Sequence, residues 1–191
     1  MAEARALAER WLGDSQALAP EFVDATLALA SAHGDAALHT QLMTALRAEK
    51  ERGRLQQLIW ALGFFRDPAL VKNLALLLEP EVDPRQLTLL LLMSGNQSRH
   101  PEVAEAFTQA HYDALAARLP EEDEARLARV ASSHCDAAHR QDTAAFVTER
   151  MARAQGGSRM LAQVLESIDL CIAFKAAQGA SIESFLAAPP R

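Results

Sequence analysis

The densest run of residues able to do chemistry is SSHCDAAHRQD, Ser132 to Asp142. Cys135 and His139 stand four apart, so on a helix they would share a face, as metal ligands do. Only three soft donors lie there, and Asp136 is placed to cap the helix that follows, so no metal site is expected. Ser133, His134 and Asp136 have the residue types of a nucleophilic triad. Neighbours in sequence do not thereby meet in triad geometry, and none is expected. A second run, PEEDEARLARV, sets Glu121, Glu122, Asp123 and Glu124 at a helix start. Paired carboxylates can exchange protons, but acids in a first turn already answer the helix dipole and its free N–H groups.

Basic residues form a looser pattern. Arg47, Lys50, Arg52 and Arg54 cluster around one turn, and Arg66, Lys72, Arg85 and Arg99 recur near later turns. A concave row of such groups can hold a peptide carboxylate, whereas a solvated rim is the plainer reading. The candidate peptide contacts are Arg54, Arg66, Lys72, Arg85 and Arg99. No catalytic, cofactor-binding or metal-binding residue is expected. The histidines at 33, 39, 100, 111, 134 and 139 include no H-E-x-x-H, the helical pair plus glutamate base of a zinc peptidase.

These residues need a scaffold, and composition says which. Half of the 191 residues are hydrophobic, with alanine and leucine abundant and aromatics at 5%, a balance that favours helix over strand. A net charge of −6 repels phosphate backbones, so no nucleic-acid partner is expected. Cys135 and Cys171 read as reduced, at least partly buried thiols rather than a disulfide framework. The start, MAEARALAERWLGD, reads as an amphipathic helix and lacks a signal-peptide layout. The Leu89–Met93 run is far shorter than the ~20 residues of a membrane span. A soluble chain with no membrane partner follows; the compartment is open, with the cytoplasm favoured.

Apolar spacing is helical almost throughout. Leu55, Leu58, Ile59 and Leu62 make one stripe, Val103, Ala106, Phe107 and Ala110 a second, and Leu161 through Ile172 a third. Breaks are regular. Asp35 can cap a helix after Gly34. Asp67-Pro68 and Asp83-Pro84 pair a capping carboxylate with proline at the first helical position. His100-Pro101 and Leu119-Pro120 mark further starts, Gly156-Gly157 a separation, and Gly179 an end. Helices are expected near 2–12, 20–32, 36–49, 52–64, 68–79, 84–95, 101–118, 121–133, 137–153, 159–177 and 181–187. Ten to eleven helices starting every sixteen to twenty residues fit an all-α, HEAT-like or irregular helical-repeat superhelix. A compact helical bundle is the rival.

Several segments taken in order carry a resemblance. They are Trp11-Leu12, His33-Gly34-Asp35, LIWALGFFRDPAL, PEVDPRQL, HYDALAARL and LESIDLCIAFKAAQGASIESFL. Together, over about Arg5 to Leu186, they resemble the C-terminal helical domain of aminopeptidase N-type zinc peptidases, the endoplasmic-reticulum-aminopeptidase-like C-terminal domain. The resemblance implies a bowl-shaped, non-catalytic superhelix. It would cover the active-site cavity of a separate zinc-bearing catalytic domain and shape access of the peptide substrate. Many members carry arginine where Asp83 stands and an acid where Gln86 stands, so a peptide contact by that arginine does not carry over. The family domain usually has earlier helices, so residues 1–191 are expected to be one helical domain, the C-terminal part of a larger one. Leu7, Trp11, Phe22 and Leu29 would then lack cover, and a homodimer through residues 1–32 is expected. The alternative reading is a free-standing helical-repeat interaction module.

Overall fold

The computed structural model describes residues 2–67, 71–79, 83–96 and 100–187, except the side chains of 71–73, 85–87 and 96. The described residues form helices and connecting turns, without a strand, compatible with a superhelix. The α-helices are α1 (Ala2–Gly13), α2 (Pro20–Ala32), α3 (Ala36–Ala48), α4 (Arg52–Leu62), α5 (Pro84–Asn96), α6 (Pro101–Ala116), α7 (Glu121–Glu124), α8 (Ala137–Arg153) and α9 (Gly157–Ala187). Val71–Leu78 and Ala125–Ser133 are 3₁₀ helices.

The starts follow the expected punctuation. Asp35 accepts from the Leu38 N–H at 2.9 Å and Asp136 from the His139 N–H at 2.7 Å, each a side-chain N-cap. Pro84 and Pro101 open α5 and α6. Pro68, beside Asp67, lies outside the described residues. Glu51, absent from the expected caps, receives the N–H groups of Gly53 and Arg54 at 2.8 and 2.6 Å.

The expected helix count is too high: nine α-helices stand among the described residues. The expected 68–79 and 121–133 helices are largely 3₁₀, and their sequences show why. Leu74 and Leu77 are three apart and both buried, as are Ala125, Ala128 and Ala131, and again Leu127 and Val130. A three-residue turn aligns such residues on one face. At the C-terminus, 159–177 and 181–187 join into α9 straight through Gly179, where nothing lies within 4 Å of a Cβ position. Glycine in a helix interior costs only about 1 kcal/mol, too little to break so long a helix. The Gly156-Gly157 separation does hold, because Gly156 adopts φ 71°.

One continuous core runs from Ala4 to Ile168. α1 packs on α2, α2 and α3 on α4, and α4 on α5. α5 then meets both 3₁₀ helices and α6, while α8 and the 125–133 helix pack on α9. Of the 55–62 stripe, Leu58, Ile59 and Leu62 are buried and Leu55 is half-buried against the core. On α6 the buried face is Ala104, Glu105, Thr108, Tyr112 and Leu115, a rotation away from the expected Val103 stripe. Trp11 is 1% exposed, covered within its own chain, which overturns the expectation that it lacks cover. Phe22 and Leu29 do stay exposed, at 61% and 48%. No helix among the described residues is long and apolar enough to cross a membrane.

The cysteines depart from expectation most. Cys135 and Cys171 form a disulfide, with 5.2 Å between their Cα atoms. Their separation of 36 residues hides their proximity. α8 and α9 fold back on each other at Gly156-Gly157, which brings the residue before the α8 cap against the middle of α9.

Candidate functional site

Three elements converge beside that disulfide. α6 presents Glu105 on its buried face, His134 ends the 125–133 helix, and His139 stands in the first turn of α8. Glu105 Oε2 lies 3.2 Å from His134 Nε2 and 3.0 Å from His139 Nε2. The imidazoles stack, with centroids 3.4 Å apart and planes at 22°. Neither Nε2 is aligned for a hydrogen bond with any described residue, and both are buried. The second carboxylate oxygen, Oε1, accepts from Gln109 Nε2 at 3.3 Å and Thr143 Oγ1 at 3.4 Å.

The loop between the two histidines is held on both sides. Ser133 Oγ donates to the Gly95 carbonyl at 2.7 Å, Cys135 is bridged to α9, and Asp136 caps α8. The triad reading of Ser133, His134 and Asp136 therefore finds its serine and aspartate committed elsewhere. Cys135, half of the Cys135–His139 metal reading, has no thiolate to offer. His139 is instead joined by His134, read from sequence only as part of a triad, and by Glu105, which sequence reasoning did not single out.

Burial sets the charges. Loss of solvent pushes the Glu105 carboxyl above its ordinary range, and it pushes both imidazoles below theirs. His139 is lowered further by His134 beside it. Two neutral imidazoles and a carboxylate can hold a cation or share a proton. Substrate chemistry is another matter. The void behind the cluster measures ≈ 10 Å³, room for a single water at most. On the solvent side Glu102, Glu105, His139 and Asp142 line an open recess.

The basic row is dispersed. Arg54 lies on an open groove of ≈ 500 Å³ walled by Trp11, Leu18, Val23 and Glu49. Its guanidinium covers the Trp11 ring at 4.6 Å, pairs with Glu49 at 3.0 Å and donates to the Leu12 carbonyl at 2.9 Å. Arg66 is exposed after α4. Lys72 lies on the Val71–Leu78 helix and Arg85 on α5, but their side chains, like all of Arg99, fall outside the described residues. Arg47, from the same early cluster, pairs with Glu79 at 3.2 Å. The acids of PEEDEARLARV do open a helix: Asp123 pairs with Arg126 and Glu124 accepts from Tyr112.

Comparison with protein families gives a match. Residues 1–170 fit the family model described as the ERAP1-like C-terminal domain. No curated protein matches the chain.

Proposed function

Because the chain belongs to the ERAP1-like C-terminal domain family, we propose that it covers the active-site cavity of a zinc aminopeptidase and shapes peptide access to it. A domain of this family is the non-catalytic C-terminal domain of an aminopeptidase, and the zinc of that reaction belongs to the catalytic domain. The observation that carries the reading is the match over residues 1–170 of an all-helical chain. On this reading residues 1–191 are a HEAT-like unit, the C-terminal part of a larger helical domain, and the catalytic domain is its first partner. Peptide substrate is the second partner. Arg66, Lys72, Arg85 and Arg99 are the proposed contacts. Arg54 has less to offer, since Trp11, Leu12 and Glu49 already engage it.

The test adds this chain to the catalytic part of a zinc aminopeptidase that lacks its own C-terminal helices. Hydrolysis of a single aminoacyl amide and of a long peptide is then compared. The expected outcome is association, with the long-peptide rate changed and the amide rate nearly constant. Absence of association at concentrations of tens of micromolar (about −6 to −7 kcal/mol) would sink the reading.

A free-standing interaction module is the second reading, and one observation favours it. Leu170, Phe174, Ile182, Phe185 and Leu186 are exposed on α9, at and beyond the end of the family match. A homodimer through residues 1–32 is proposed on narrower grounds than expected. Phe22 and Leu29 provide its apolar surface, without Trp11.

A further inference from the structure

We propose that Glu105, His134 and His139 form a binding site for one divalent transition-metal ion of the zinc class, separate from the zinc of any catalytic domain. Two imidazoles and a carboxylate suit Zn²⁺ and its neighbours, whereas Ca²⁺ and Mg²⁺ call for all-oxygen sets. The three donor atoms lie within 4.8 Å of one another. Tetrahedral bonds of about 2.0–2.1 Å place ligand atoms about 3.3 Å apart. The two nitrogens already stand 3.0 and 3.2 Å from Glu105 Oε2, at coordination spacing.

Burial makes the ion more than a geometric fit. Glu105 is 6% exposed, and both Nε2 atoms are buried without an aligned partner among the described residues. Orphaned buried polar atoms cost free energy, and an ion would satisfy both nitrogens at once while pairing with the buried carboxylate. Ligands of a built site are oriented by outer groups. Gln109 and Thr143 occupy Oε1 and leave Oε2 to the ion, while the disulfide, the Ser133–Gly95 bond and the Asp136 cap hold the histidine loop. Entry is through the recess walled by Glu102 and Asp142, whose carboxylates attract a cation; Arg150 stands on the same recess. A water would complete a four-coordinate set. The stacked rings show what binding must change. Their planes lie only 22° apart, so one imidazole would have to turn about its Cβ–Cγ bond, a soft torsion, for both to point at one ion. The ion would tie α6 to the loop that leads into α8. With no enclosed substrate space beside it, its role is structural.

The test uses the full chain with its disulfide intact, dialysed against about micromolar Zn²⁺ near pH 7.5, where ordinary histidine is neutral. One zinc per chain is expected, and Co²⁺ in its place should give the intense visible bands of a four-coordinate centre. His134→Gln with His139→Gln should abolish one-to-one retention. Thr143→Val, which removes only an outer partner, should weaken binding about tenfold. His33→Gln, at an exposed position, should leave it unchanged. Wild type that retains no zinc, or a double variant that retains it equally, overturns the proposal. Loss of zinc in His33→Gln to the same extent as in the double variant also overturns it, since the ion would then sit elsewhere. If the double variant does not fold, Glu105→Gln and Thr143→Val decide, and unchanged affinity in both overturns it.

Discussion

Arg54 shows how one side chain can hold two parts of a fold together. Its guanidinium joins the end of α1, through Trp11 and Leu12, to Glu49 before α4. Arg54→Ala removes a charge-assisted hydrogen bond and a cation–π contact, and should cost about 2 kcal/mol in urea denaturation. Arg54→Lys should recover less than half of that, because a point charge cannot stack and fork at once. The sequence marks Arg54 as basic but not as spent, since Trp11 and Leu12, two of its partners, lie more than forty residues away in the chain. Glu105 was hidden for a related reason. A carboxylate between Ala104 and Ala106 reads as solvent-facing, and only the buried positions Ala104, Thr108, Tyr112 and Leu115 reveal that α6 turns it inward. His134 and His139 were visible as residue types, but their convergence on a third element was not.

Among the elements, the helix starts were the most legible part of the chain, because capping is a local transaction between a side chain and the next turn. One consequence is testable with acid. Arg5 at 2.7 Å and the Leu38 N–H hold the Asp35 carboxyl below its ordinary value of 3.8. Below that value the unfolded chain takes up a proton that the folded chain resists. The stabilisation is therefore present above about pH 4 and is lost as pH falls through the depressed value. Asp35→Asn should flatten this acid limb of the unfolding curve while leaving its slope near neutral pH unchanged. Glycines separate good from misleading punctuation in the same way. A Cβ on Gly157 would stand 2.1 Å from the Met151 carbonyl oxygen, so Gly157→Ala should cost about 2 kcal/mol or more in denaturant. Gly179 meets nothing within 4 Å, and Gly179→Ala should slow amide exchange in the last turns of α9, by about 0.5–1 kcal/mol of local helix stability. The two 3₁₀ helices were legible too, in leucines and alanines three apart, but a search tuned to a period of 3.6 passes over them.

On the scale of the whole molecule, the all-α class and the family were readable from composition, period and the order of segments. The disulfide was not, since a bond across 36 residues depends on how α8 and α9 return on each other. It closes a loop whose entropy in the unfolded chain corresponds to about 3–4 kcal/mol, so the unfolding free energy in denaturant should drop by that amount on reduction or in Cys171→Ala. It also gives the last hairpin an unusual topology, that of a covalent ring. The turn at Gln155-Gly156 is exposed, where a protease finds chain most readily. A single cut there opens the ring without dividing the molecule. Under non-reducing conditions the nicked chain should migrate as one species, heavier by one water, and still unfold cooperatively. Only reduction should release two pieces, so the bridge makes a break in the backbone survivable.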